Sequence, residues 1–183
     1  MKISLLWLIA FGLASILLLP IASLRAVEQV VVAELVEFKN QAGQFSIGLP
    51  GEPLYEKTTV GDAQETQHQY TVPMEQGVYL ISYQENPNLE GKGPKELASA
   101  LVSGRDRLQE VFQGELVESK SIALDKSHPG LQFRFTIPAA NGEARCRFYL
   151  VGTRLYQLMA LGAPDFAQSD QATRVIESFK LLK

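Results

Sequence analysis

Asp125, Ser127 and His128 stand within four residues of one another, and an acid, a serine and a histidine are the parts of a nucleophilic triad. A triad, however, draws its members from separate elements, and no Gly-x-Ser-x-Gly elbow is present to expose the serine. Lys126-Ser-His-Pro129 reads instead as a turn before a strand. Cys146 is the only thiol, and it falls on the inward side of an alternating run beside Ala144 and Phe148. A thiol in apolar surroundings holds its proton and is inert. His68 and His128 are the only histidines, and neither has a cysteine or carboxylate at a ligand spacing. Both read as solvated surface residues. Asp106 and Glu110 share a helical face, but Arg105 and Arg107 beside them make that face a charge-mixed, solvated one. Gly91-Lys-Gly93 lacks the spacing and the following Lys-Ser/Thr of a phosphate-binding loop. The sequence therefore predicts no catalytic residue, no cofactor, no metal and no enzyme.

One constellation remains. Arg134, Arg145 and Arg147 alternate outward on two neighbouring strands, with Tyr149 in the same row and Arg154 on the next strand. Like charges facing each other on a sheet are unfavourable unless something neutralises them. Acids from a covering helix, such as Asp106 or Glu110, are one source of neutralisation. Otherwise the row is a docking patch for an acidic partner or a lipid head group, since guanidinium forks suit carboxylate and phosphate.

Positioning that row requires a sheet. Val27 to Asn40 is β-branched and dotted with glutamate, suggesting a stalk over 27–35 and then a first strand. Phe45, Ile47 and Leu49 alternate at the strand period, and Pro50, Gly51 and Pro53 stop the run. Leu54–Val60 and Thr66–Val72 flank Gly61-Asp62 as a hairpin. Val78–Tyr83 is apolar on both faces, as a central strand covered on both sides would be. Pro94 opens a helix through Gln113 with Leu97, Leu101, Leu108, Val111 and Phe112 on one stripe. Gly104 interrupts it and Gly114 stops it. Strands follow at Leu116–Leu124, Leu131–Ile137, Ala144–Leu150 and Arg154–Leu161, with Asn141-Gly142 as a hairpin turn. A last helix runs from Pro164 or Asp170 to Phe179, with Ser169 or Asp170 as its cap. Strands, helix, strands, helix describe an α+β domain, a mainly antiparallel sheet flanked by helices in a sandwich.

Composition agrees. With 46% hydrophobic and 20% charged residues in 183, the chain is ordinary globular material. A basic start, the uncharged apolar run Ile3–Ala22 and then small residues describe a secretory signal over residues 1–26, cut after Ala26, or an uncleaved membrane anchor. Without Lys2 and Arg25, 15 basic residues face 20 acidic ones. That balance excludes nucleic acid, whose phosphates demand a basic footprint. A domain with one thiol has no internal disulfide, so its core must hold it together.

These residues also resemble a family. Phe45-Ser-Ile-Gly-Leu-Pro-Gly-Glu-Pro53 is similar to the opening strand and turn of bacterial PsbP-like domains of the Leu-Pro-Gly type. His128-Pro-Gly130 leading into Leu131-Gln-Phe133 resembles their strand entry. Arg147-Phe-Tyr-Leu-Val-Gly-Thr-Arg-Leu-Tyr156 resembles the late hairpin, and Ser178-Phe179 the end of the last helix. The resemblance spans residues 36–182, within a PsbP-like domain taken as 36–183. It implies an antiparallel sheet between helices. It also implies an exported, non-enzymatic accessory or assembly protein on a membrane-associated complex, which in oxygenic photosynthesis is photosystem II. The compartment implied is the periplasm or thylakoid lumen, with membrane contact through the N-terminal segment if that is uncleaved. The sequence departs from photosynthetic members in having Leu-Pro-Gly-Glu-Pro where they carry a Pro followed by tryptophan, and in lacking the lipid-attachment cysteine. The alternative function is an extracytoplasmic carrier of a small or lipid-like ligand. It predicts a pocket between helix and sheet lined by Leu101, Leu108, Phe133 and Phe148.

Overall fold

Alternation of apolar and polar residues governs most of this chain. The computed structural model of the protein describes residues 34–60 and 65–183, so the signal or anchor, the cut after Ala26 and most of the stalk lie outside the described residues. The elements are β1 (Val36–Asn40), β2 (Phe45–Leu49), β3 (Leu54–Val60), β4 (Glu65–Met74), β5 (Gly77–Glu85), α1 (Pro94–Phe112), β6 (Glu115–Leu124), β7 (His128–Ile137), β8 (Gly142–Val151), β9 (Arg154–Gly162), α2 (Pro164–Ala167), α3 (Asp170–Glu177) and β10 (Lys180–Leu181). Among the described residues every strand neighbour is antiparallel. Seven strands form one sheet in the order β3-β4-β5-β9-β8-β7-β6, and β1-β2-β10 form a second, smaller one. No described helix is long and apolar enough to cross a membrane.

Period two splits the large sheet into two faces, each with its own core. On one, Phe133, Phe135, Cys146, Phe148 and Met159 meet Leu101 of α1, with Leu97, Leu108 and Phe112 packed against them. On the other, Tyr70, Tyr79, Ile81, Tyr83, Tyr156 and Leu158 meet Phe45, Ile47 and Leu49 of the small sheet and Val175 and Ile176 of α3. Burying each such large apolar side chain contributes roughly 1.5–3 kcal/mol. The α+β sandwich expected from the sequence is present, with one addition. The second covering layer is itself part sheet, because Lys180–Leu181 pairs with Ser46–Phe45. Two residues are too few to show a period.

Two further expectations change in detail. The last helix is two helices: the chain breaks at Gln168–Ser169, and the Ser169 hydroxyl accepts from the Ala172 N–H at 3.0 Å, so α3 has its own cap. Phe179 lies beyond α3, in the core. The strand β5 is buried on the face of Tyr79, Ile81 and Tyr83, whereas Val78 and Leu80 on the other face are only partly covered.

In α1, Pro94 occupies the first turn and the Glu96 carboxylate accepts from the Gly93 N–H at 2.9 Å. The left-handed residue that ends α1 is Gln113, with φ 50°, not Gly114. Gly114 is required for another reason: a Cβ there would overlap the Phe135 ring and come within 2.9 Å of the Thr136 carbonyl oxygen.

Candidate functional site: the arginine row

Residues of odd number on β8 and even number on β7 point to the face covered by the small sheet and α3. Arg134 stands opposite Arg145, and Gln132 opposite Arg147. Arg154 begins β9, opposite Glu85 of β5. The expected row therefore exists as geometry, on the face of β7 and β8 opposite the one that α1 covers.

Its charges are answered from within. The Arg134 guanidinium donates to Glu143 at 2.9 Å and lies 3.5 Å from Glu118. Glu143 is only 3% exposed, and its second oxygen accepts from the Gln168 side chain at 2.8 Å. A buried carboxylate is tolerable when paired in this way. That hydrogen bond from Arg134 to Glu143 holds the guanidinium charge more firmly than usual. Arg147 donates to Gln132 at 2.8 Å and to Glu177 of α3 at 3.0 Å. Arg154 donates to Glu85 at 2.5 Å and stands 5.3 Å above the Tyr83 ring. Burial works against the Arg154 charge, but hydrogen bonds to Tyr156 and Glu85 outweigh it. Arg145 differs: its partner is the neutral Thr173 hydroxyl, and among the described residues it forms no ion pair.

The neutralising acids are thus Glu143, Glu118, Glu177 and Glu85. Asp106 and Glu110 take no part, because α1 covers the opposite face; Asp106 pairs with Arg105 instead. Tyr149 shares the row's face but is 5% exposed and stacked on Phe179, ring centres 5.9 Å apart. Its role in the fold is therefore that of a core side chain. Arg145 and Arg147 clasp α3 through Thr173 and Glu177, while Arg134 reaches the α2 region through Glu143 and Gln168.

Next to the row lies an aromatic cluster that the sequence did not reveal. Strand register sets His68 opposite Tyr83, Tyr83 opposite Tyr156 and Tyr156 opposite Tyr149. The His68 ring lies flat on Tyr83, with centres 4.6 Å apart and planes 5° apart, and its Nδ1 is 2.9 Å from the Tyr55 hydroxyl. Burial, aided by Lys57 and Arg154, holds His68 below the usual histidine range and favours its neutral ring. Burial, with Tyr70 beside it, pushes the Tyr83 phenol up to about 12. His68 is consequently half-buried rather than a free surface group. The signal for it was period two: His68, Tyr70 and Val72 share one parity, but their partners are strands far away in sequence.

The remaining groups are simply placed. Asp125 and Lys126 have φ of 50° and 62°, the pair of positive values that a tight hairpin turn requires, and Ser127 closes it on Leu124. Cys146 is fully buried, and desolvation raises its thiol well above the ordinary range. Among the described residues no group of three His, Cys, Asp or Glu side chains could hold a metal. A shallow, open hollow at the end of α1 is lined by Asp106, Gln109, Glu110, Gln113 and Gly114.

No family model matches the chain, and no curated protein does. Solved structures do. The solution structure of cyanobacterial PsbP (CyanoP) from Synechocystis sp. PCC 6803 superposes with a TM-score of 0.55 at 11% identity, covering 85% of this chain and 97% of that one. A crystal structure from Bacteroides thetaiotaomicron gives a TM-score of 0.38 at 13% identity, over 82% of this chain and 49% of that one, too loose to bear on the fold. Nearly the whole of CyanoP is thus matched by an antiparallel sheet between covering layers, the arrangement the sequence motifs anticipated. The chain has the PsbP-like fold.

Proposed function

We propose that this protein is an exported, non-catalytic accessory domain that docks on a membrane-associated protein complex. The observation that carries the reading is the filled interior. Leu101, Phe133 and Phe148 are at most 3% exposed, and the rings of Phe133 and Phe148 meet edge to face at 4.9 Å. With Leu108 these are the side chains that a carrier would turn toward its ligand, and here they fill one another's space. Such a domain presents its surface, not a chamber, to other molecules. The PsbP-like fold and the signal-like N-terminal sequence support export and an accessory role. In an oxygenic photosynthetic source the complex is photosystem II. Arg145 is the arginine of the row left to meet an acidic group of the partner, since Arg134, Arg147 and Arg154 are held by acids of the chain.

Capture from native membranes with the tagged full-length protein tests this. A membrane complex should co-purify with the wild type and be depleted with Arg145→Glu. A protein found only in the cytosol, with no membrane complex attached, overturns the reading.

A further inference from the structure

Among the described residues the large sheet ends on one side in β6, which pairs only with β7. Its residues Glu115 to Ser121 are all exposed. Such an edge offers unpaired N–H and C=O groups to any strand that fits it. Which strand fits is written in the edge itself. Glu118, Ser119 and Lys120 occupy its middle, with Glu118 and Lys120 on the same face, opposite Arg134 and Gln132 of β7.

Two copies of one strand can join antiparallel about a two-fold axis only where some residue faces itself. Opposed residues alternate between two kinds of pair, and symmetry forbids an axis between them. An axis at Glu118 opposes two glutamates, and one at Lys120 opposes two lysines; both are repulsive. An axis at Val117 or Ser121 leaves both charges facing uncharged residues. An axis at Ser119 sets Glu118 of each copy against Lys120 of the other, twice over. Glu118 is half exposed and leans on Arg134 at 3.5 Å, so it is free to take this second cation. Leu116 and Val117, exposed at 41% and 48%, lie at both ends of the junction and lose solvent when it forms. The bulge between Leu116 and Glu118 ends the regular ladder, which keeps the contact short and reversible.

We infer that the protein forms a two-fold dimer through β6, with Ser119 on the axis and reciprocal Glu118–Lys120 pairs on either side. The single lysine that guards this edge against other strands is also what makes the edge complementary to itself.

Cysteine crosslinking of the full-length chain in a mild detergent reads the register directly. Residues opposed in an antiparallel pair have Cα atoms ~4.5–5.5 Å apart, within reach of a disulfide. Ser119→Cys should therefore link to its own copy at least tenfold faster than Ser121→Cys, another exposed serine on the same face; Cys146 is buried and does not compete. Sedimentation equilibrium should show a wild-type dimer that weakens with salt. It should dissociate in Lys120→Glu, which leaves the Arg134 contact intact, and return in the double exchange Glu118→Lys with Lys120→Glu. Equal linking rates at 119 and 121, a monomer at every concentration, or no recovery in the double exchange would each overturn the inference.

Discussion

A histidine flat against a buried tyrosine responds to acid in a definite direction. His68 is held below its usual range by burial and by Lys57 and Arg154. Between about pH 6.5 and its lower folded value, the unfolded chain binds a proton that the folded chain refuses. Stability should therefore fall as pH falls through that window and level off below it. Urea midpoints at pH 7.5 and 5 should differ for the wild type and differ less for His68→Phe, which keeps the stack on Tyr83 without the titrating nitrogen. An NMR titration of His68 with a midpoint at or above 6.5 would contradict the account. The arginines behave differently at the same scale. Glu143 buried between Arg134 and Gln168 is a charge that folding has already answered. From the sequence the row's neutralisation stays open between acids of a covering helix and an outside partner, because two of the acids that answer it are non-local. Glu85 faces Arg154 across the β5–β9 ladder although the two residues are 69 apart in sequence, and Glu177 comes from α3. Spacing within one hairpin cannot contain that information.

Elements were more legible than pairs of residues. Alternation in Phe45–Leu49, Leu131–Ile137 and Ala144–Leu150, and the stripe of α1, are local patterns, and each became the element it suggested. The break between α2 and α3 was half visible, since Pro164 and Asp170 are the two starts the sequence offers and both are used. The strand β10 was invisible because among the described residues it pairs only with β2, far away in the chain. The two glycines bounding α1's packing separate two meanings of one residue type. At Gly104 an added Cβ would touch Phe148 at 3.4 Å, an ordinary contact, so Gly104→Ala should stabilise the protein by about 0.5–1 kcal/mol through helix propensity. At Gly114 the same atom collides with Phe135 and the Thr136 backbone, so Gly114→Ala should cost about 1–3 kcal/mol. Denaturant midpoints moving in opposite directions for the two variants check both statements.

At the scale of the molecule, two cores share one sheet. No disulfide braces them, for Cys146 is the only cysteine and lies free in the α1 core at 0% exposure. That makes it a reporter of opening. An aromatic disulfide reagent should leave Cys146 unmodified in native buffer and label it only as fast as the whole sheet opens. The labelling rate should then rise with urea along the slope of global unfolding. Rapid labelling without denaturant would mean that α1 lifts off by itself.

The pairing of Lys180–Leu181 with Ser46–Phe45 has a temporal consequence. A ribosome releases a polypeptide in sequence order, so β2 emerges well before Lys180 and Leu181, which close its layer. Until then Phe45, Ile47 and Leu49 have neither β10 nor α3 over them, and the nascent chain carries an oily, unsealed seam. Whatever escorts this protein during synthesis must shield that seam until Leu181 is free.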